Sequence, residues 1–411
     1  MSDSRALSTK MRSRARAALI FGALVIALAL GIRQAFGLFL EPVVRDFEIG
    51  RASFGFAIAL QNLVWGLAQP FAGALADRYG SGRVIAIGSA LYAAGLALAT
   101  VSRDAVALDL TLGVLIGLGL SGTTFAVVLG AIGRLYPPER RSVALGIGTA
   151  LGSLGLFTVV PGAQLLLDGY GWVATFLVLA CASTLGIVFA PGLAGRPEHR
   201  SDEARPLEAG SLGEALGQAR RHGGYWLLTA GFFVCGFQLA FIATHLPAYL
   251  SDRAVAGWVA GAVLAVIGLF NIAGSYICGV IGARASKSKS LAWLYIARSA
   301  IILAFLVLPI TPVSALVFAA LMGLLWVGTV PLTSGLVAQI FGVRYMATLF
   351  GIVFLAHQIG SFLGAWLGGL VFEASGSYLP VWIASMILGL LAAALHWPIS
   401  ERPVVRPGAT A

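Results

Sequence analysis

The chain has 411 residues, of which 59% are hydrophobic and only 11% charged, less than half the roughly 25% charge of an ordinary soluble domain. That is too little polar surface for the two or three soluble domains such a length would otherwise fill, so a soluble enzyme is excluded and a polytopic membrane protein is expected. The net charge of +10, from 27 Lys+Arg against 17 Asp+Glu, would suggest nucleic acid in a soluble protein; here the placement of the basic residues matters more than their sum.

A helix rises about 1.5 Å per residue, so crossing a hydrocarbon core of about 30 Å takes about 20 apolar residues. A basic tail, 1–16, precedes an apolar run at 17–40 that is too long for a signal-peptide core and lacks a small-residue cleavage site. It reads as the first span. Spans two to six are expected at 53–76, 84–101, 110–131, 142–167 and 173–190. A polar stretch, 191–223, follows; within it Leu212–Ala219 could form a short surface helix, with a solvated linker as the simpler reading. Spans seven to twelve are expected at 224–250, 257–282, 290–309, 313–339, 346–372 and 379–397, followed by a tail at 398–411. The sequence therefore predicts an all-α membrane protein of twelve transmembrane helices in two six-helix bundles, 17–190 and 224–397. The runs are continuously apolar, unlike barrel strands, and the 52 glycines suit close helix–helix contact.

With the N-terminus placed inside, 21 Lys and Arg fall in inner segments and 4 in outer loops, while Arg33 and Arg298 lie within spans. This asymmetry predicts that both termini are cytoplasmic. Cys181, Cys235 and Cys278 form no CxxC or His/Cys cluster, so no metal and no cofactor is expected. Gly117 to Gly122 satisfies GxGxxG, but within an unbroken apolar run, where a helix contact is the better reading than a dinucleotide site. No Walker motif is present, so the chain carries no ATPase domain of its own.

The two halves share a repeat. Shifting by 206 residues takes Gly73 to Gly279, Arg78 to Arg284, Gly117 to Gly323, and Gly122-Thr123 to Gly328-Thr329. Two related bundles of this kind can expose a central site alternately to either side.

The stretch Gly73-Ala-Leu-Ala-Asp77-Arg78-Tyr-Gly80-Ser-Gly82-Arg83 resembles the signature loop of the major facilitator superfamily, G-x-x-x-D-R-x-G-x-x-R, after span two. The equivalent loop after span eight is degenerate, with Ala283 in the place of the acid. The resemblance implies that Gly73, Asp77, Arg78, Gly80 and Arg83 form a conformational gate that bolts the halves together on the cytoplasmic side. Asp77 is suited to pairing with an arginine or capping a helix N-terminus, and Arg78 and Arg83 to helix C-termini or acidic headgroups. A narrower resemblance follows span four: Tyr136-Pro-Pro-Glu-Arg140-Arg141-Ser-Val-Ala144-Leu-Gly146-Ile-Gly148-Thr-Ala150 is similar to the span-five signature of the monocarboxylate porters, Y-F-x-K-R-R-x-L-A-x-G-x-A-x-A-G. The acidic, Trp-containing opening of span one in that group is absent, so the chain looks like a bacterial relative of that group and of the oxalate/formate exchangers.

An ionisable residue in mid-span costs free energy and is a functional candidate by default. The acids Glu41, Asp109 and Glu373 sit at span ends and the others in loops or tails, leaving Arg33, Arg298, His245 and His357 within spans. A cavity with positive charge and no buried carboxylate favours an anion. Arg33 is the leading candidate, because a guanidinium offers paired donors to a carboxylate. The resembling porters carry a cation at the matching place, followed by an acid as in Arg33-Gln-Ala-Phe-Gly-Leu-Phe-Leu-Glu41. The competing reading has Arg33 snorkel outward or pair with Glu41 or Asp46. Arg298 lies in span nine, peripheral in the family, where contact with carbonyls or snorkelling is the simpler reading. The family's span-eight arginine is replaced by Ser275, leaving Asn271 as a polar contact. His245 and His357 are candidates for anion binding or proton coupling. Gln34, Asn62, Thr123, Gln238 and Thr329 complete the substrate-binding candidates, with Gln61, Thr124 and Thr333 as further polar positions.

The expected function is secondary transport of a small organic anion, a monocarboxylate for preference, by proton symport or anion exchange. The expected setting is a monomer in the lipid bilayer of a bacterial inner membrane, with protons as possible partners and no nucleic acid. The alternative is a proton-driven efflux pump for drugs or other amphiphiles, suggested by Gly146, Gly148, Gly152, Gly155 and Pro161-Gly162. Such pumps for cationic compounds generally use a buried acid. A membrane sensor or enzyme is disfavoured, because no catalytic constellation appears.

Overall fold

The computed structural model describes residues 2–49, 51–194, 211–253, 255 and 257–404. All regular elements among them are helical. In the first half, α1 (Ser2–Ala35) carries the first apolar run and passes through a 3₁₀ turn into α2 (Leu40–Phe47). α3 (Arg51–Tyr79) and α4 (Ser81–Ala99) follow. The next crossing is assembled from α5 (Ala105–Leu108), a π-helical segment at Asp109–Leu115, α6 (Ile116–Thr123) and α7 (Phe125–Leu135). α8 (Pro138–Phe189) begins with Pro138 at its first turn, where the missing N–H costs nothing. It doubles back at Gly171, whose φ of 76° suits a residue without a Cβ, so the two spans expected there join without a separate loop.

The second half holds α10 (Gly223–Asp252), α11 (Gly257–Arg284), α12 (Lys287–Val307), α13 (Pro312–Leu325), α14 (Thr329–Phe341), α15 (Met346–Ser375) and α16 (Leu379–His396). Between the halves, α9 (Leu212–Arg221) corrects the linker reading of that segment. Ser211 Oγ accepts from Glu214 N while the Glu214 carboxylate accepts from Ser211 N, a capping box that starts a helix where composition alone suggests a coil. The rest of the central stretch, 195–210, lies outside the described residues.

Among the described residues, eleven stretches of helix are long and apolar enough to cross a membrane. The remaining expected span is α3, 29 residues long but carrying Gln61, Asn62, Gln69 and Pro70. Exposed apolar side chains such as Phe71, Val188, Val307 and Trp366 clothe the outside. Burying side chains against lipid gives no hydrophobic gain, so contact between helices depends on close packing. α3 against α15 and α8 against α11 are the principal contacts between the halves. At the latter, a Cβ on either Gly146 or Gly279 would lie 2.7 Å from the Cα of the other.

Both repeat-related crossings are broken at matching places. One break is at Thr124, with φ −113° and ψ −163°, and the other between Leu325 and Thr329. Backbone groups freed inside a membrane must find partners, and side chains supply them. Gln69 Nε2 donates to Ser121 O at 2.8 Å in the first half. In the second, Arg298 Nη2 donates to Leu325 O at 2.6 Å and Asn271 Oδ1 accepts from Val327 N at 2.9 Å.

Candidate functional site

Arg33 lies near the end of α1 and turns its guanidinium toward α3. Its Nη2 donates to Asn62 Oδ1 at 2.6 Å and its Nη1 to Gln34 Oε1 at 3.4 Å. The guanidinium carbon stands 5.4 Å from the centre of the Trp65 ring, within cation–π range. Nε is buried without a hydrogen-bond partner among the described residues. Asp46, one of the two acids weighed as partners, accepts instead from Trp172 Nε1 at 2.6 Å; the side chain of Glu41 falls outside the described residues. Asn62 is held for this task by its own helix, with Nδ2 donating to Ile58 O at 3.0 Å. Trp65 is held likewise, with Nε1 donating to Gln69 Oε1 at 2.8 Å and Thr124 Oγ1 at 3.0 Å.

Across the interface α15 presents Phe354, His357 and Gln358. Phe354 packs 5.1 Å from Trp65 and 6.3 Å from Phe125, so rings from both halves meet beside the Trp65 ring that Arg33 contacts. His357 stacks on Phe354 at 5.2 Å with only 8° between the planes and lies 4.9 Å from Phe232 of α10. Gln358 Nε2 donates to Asn62 O at 3.4 Å. Arg33, Gln34, Asn62 and His357 are thus brought into one neighbourhood.

The other sequence candidates are distributed differently. Thr123 donates to Gly119 O within its own helix. Thr329 contacts the Cys235 sulfur of α10 at 3.2 Å, and the same thiol is in hydrogen-bond contact with His357. Gln238 and Asn271 are fully buried and engaged: Gln238 accepts from Arg298 and donates to Ser385 O, and Asn271 donates to Ser153 Oγ while accepting from Ser275 and Val327. His245 Nε2 sits 2.8 Å from Ala365 O, with its ring against Phe241 and Tyr378 inside the second bundle. Arg298 spans Gln238 and the two carbonyls of the broken crossing, those of Leu325 and Trp326, as its structural reading anticipates.

A second constellation closes the Asp77 end of the molecule. Asp77 Oδ2 accepts from Thr348 N at 2.8 Å and Thr348 Oγ1 at 2.7 Å, which caps the first turn of α15 from the other half. Its Oδ1 pairs with Arg134 Nη1 at 3.0 Å, and Arg134 Nη2 also donates to Ser81 Oγ. A carboxylate at a helix N-terminus is favoured by both the free N–H groups and the dipole. A Cβ on Gly73 would collide with the Ala347 carbonyl, so the two helices can approach this closely only because that position is glycine. Gly80 has φ 95° at the turn, while Arg78 and Arg83 are exposed, Arg78 lying over the Tyr79 ring at 5.2 Å.

Sequence reasoning missed Arg134, which counts there as one more inside charge, and Trp65, one apolar residue among many. The signal available was helical spacing: Asn62, Trp65 and Gln69 share a face of α3 at intervals of three and four.

A family model described as Major Facilitator Superfamily matches residues 19–365. An uncharacterized MFS-type transporter of Bacillus subtilis, YcxA, is 24% identical, with the match covering 89% of this chain and 90% of that one. Monocarboxylate transporter 13 of Bos taurus is 27% identical over 86% of this chain and 81% of its own length. The crystal structure of the E. coli fucose:proton symporter FucP superposes with a TM-score of 0.72 at 17% identity, covering 94% of this chain and 98% of that one.

Proposed function

Because the chain belongs to the Major Facilitator Superfamily and is a multi-pass membrane transporter, we propose that it is a secondary active carrier of a small monocarboxylate in the bacterial inner membrane. In this reading it acts as a monomer with twelve spans, α3 included, and both termini in the cytoplasm. It works by alternating access, with proton symport or anion exchange. The resemblance to monocarboxylate transporter 13 supports the substrate class. The observation that carries the reading is Arg33: an in-span guanidinium aligned by Asn62 over Trp65, with Nε unpartnered among the described residues.

The chemistry follows from that arrangement. A carboxylate that reaches Arg33 meets donors fixed in a planar fork, and the low surrounding polarity makes a charge-assisted bond stronger than in water. Trp65 packs on Phe354, and Phe354 on His357, so the ring cluster beside Arg33 joins the halves, while in this reading the Asp77 latch holds the cytoplasmic ends together. Release of that latch and separation of α3 from α15 would expose the anion to the other side.

The test is uptake of radiolabelled lactate into proteoliposomes. Losing a bidentate contact of roughly 1.5–3 kcal/mol per charge-assisted bond predicts a rise in KM of at least about tenfold for Arg33→Ala, with Arg33→Lys intermediate. Uptake by folded Arg33→Ala at the wild-type KM would overturn the role of Arg33. Export of a cationic dye, with no carboxylate flux, would favour the efflux alternative.

A further inference from the structure

Arg33 in the first half, on which that reading relies, and His357 in the second, a candidate for proton coupling, are joined by a continuous chain of contacts. Arg33 Nη2 donates to the Asn62 side chain at 2.6 Å. The backbone carbonyl of the same Asn62 accepts from Gln358 Nε2 at 3.4 Å. Gln358 Oε1 in turn lies 3.1 Å from His357 Nδ1. The amide oxygen can only accept, so this contact places the ring hydrogen on Nδ1, which also lies 3.4 Å from Ser361 Oγ, and leaves Nε2 to gain or lose a proton, with the Cys235 thiol in hydrogen-bond contact with the ring. The close approach is built into the helices: a Cβ at Gly66, one turn along from Asn62, would lie 2.6 Å from Gln358 Cβ. Gln358 is 3% exposed, so its amide has little water to turn to instead.

We propose that Gln358 is a positioning residue that couples the anion on Arg33 to the protonation of His357 across the interface between the halves. This rests on the reading of Arg33 as the carboxylate site. Protonation of Nε2 strengthens the Nδ1–H bond to Gln358, and polarisation passes along a hydrogen-bond chain. The amide then holds the Asn62 turn, and with it the guanidinium, in the anion-binding position. By reciprocity, an anion on Arg33 favours the protonated ring to the same degree. The ionisable groups that face His357 come from several elements. α10 contributes the Cys235 thiol, which is in contact with Arg298 of α12 and Thr329 of α14. α1 contributes Arg33 through Asn62. Among the described residues none of these is a carboxylate, and the Cys235 thiol already lies against Arg298, so the added anion is the partner that offsets a second positive charge.

Lactate uptake is measured in proteoliposomes with equal pH on both faces, at about pH 5.5 and about pH 7.5. Wild-type KM is expected to fall by roughly fivefold or more at the lower pH, the size of an ordinary coupling between sites. In Gln358→Leu the two KM values are expected to converge, and in His357→Gln likewise; the double variant should be no flatter than either single one. Gln358→Met, which keeps the chain length, replaces Gln358→Leu if that variant does not purify folded. A wild-type pH dependence in the Gln358 variant, a wild-type protein without pH dependence, or strictly additive effects in the double variant would overturn the coupling. Failure of the underlying reading looks different: no lactate flux in the wild type, or unchanged flux in Arg33→Ala.

Discussion

Arg33 and Arg298 show how little residue type alone decides within a membrane. Both are in-span arginines, yet Arg298 is completely buried, with Nη2 on the carbonyls of Leu325 and Trp326 and Nη1 on Gln238 and Cys235. Its partners are the backbone groups that the broken crossing leaves free. Arg298→Ala should therefore act on stability, removing charge-assisted bonds of roughly 1.5–3 kcal/mol each and leaving those carbonyls without a donor. The expected result in a detergent thermal melt is a clear drop in Tm, with Arg298→Lys between the two. An unchanged Tm with lost lactate uptake would move Arg298 into the transport site. Gln238 and Asn271 belong to the same support. The sequence marks them as polar residues in spans, but their partners are backbone atoms on other helices, which no spacing along their own helix reveals.

At the scale of elements, the second signature loop lacks its acid at Ala283, and the C-terminal tail supplies one. Glu401 Oε1 accepts from Ser286 Oγ at 2.6 Å and from Ser288 N at 2.7 Å at the start of α12. Gln339 Nε2 donates to the Glu401 backbone carbonyl, and Val404 N donates to Ile340 O at 2.9 Å, tying the tail to the end of α14. Partial burial pushes the Glu401 carboxyl upward, but the bonds from Ser286 and Ser288 and the nearby Lys287 outweigh it, and its pKa lies below the ordinary glutamate value. A depressed carboxylate contributes stability that is present above the unfolded pKa and lost as pH falls through the folded one. Wild-type Tm should accordingly decline below the ordinary glutamate range, near pH 4, more steeply than that of Glu401→Gln. Parallel curves would remove the tail from the account. The breaks at Thr124 and after Leu325 were foreshadowed by the paired Gly122-Thr123 and Gly328-Thr329, but a glycine and a threonine in an apolar run are equally compatible with an unbroken helix.

For the whole molecule, under the proposed alternating access, the contacts at Asp77 form a latch that sets the balance between conformations. It joins α3, α7 and the first turn of α15 through Arg134 and Thr348, so its contacts exist only while the halves are together at that end. Asp77→Ala removes an ion pair and a helix cap worth roughly 1–3 kcal/mol, enough to change a two-state ratio by about fivefold to a hundredfold. Spin labels on Arg83→Cys and Lys289→Cys, exposed and related by the repeat, should report a longer distance in Asp77→Ala than in the parent. An unchanged distance distribution would assign the latch to stability alone.

The sequence by itself determined the class of molecule. Apolar runs of membrane length, the repeat, and the loop from Gly73 to Arg83 are local or periodic features, and they are written along the chain. It also singled out Arg33, because an in-span charge is conspicuous wherever it lies. What only the tertiary structure decided is partnership: that Arg33 meets Asn62 and Trp65, that Asp77 reaches Thr348 across 271 positions, and that Arg298 serves a broken helix. The reason is physical. Inside a membrane, hydrophobicity places a helix but does not choose its neighbours; close packing and hydrogen bonds choose them, and both depend on atoms far apart in sequence.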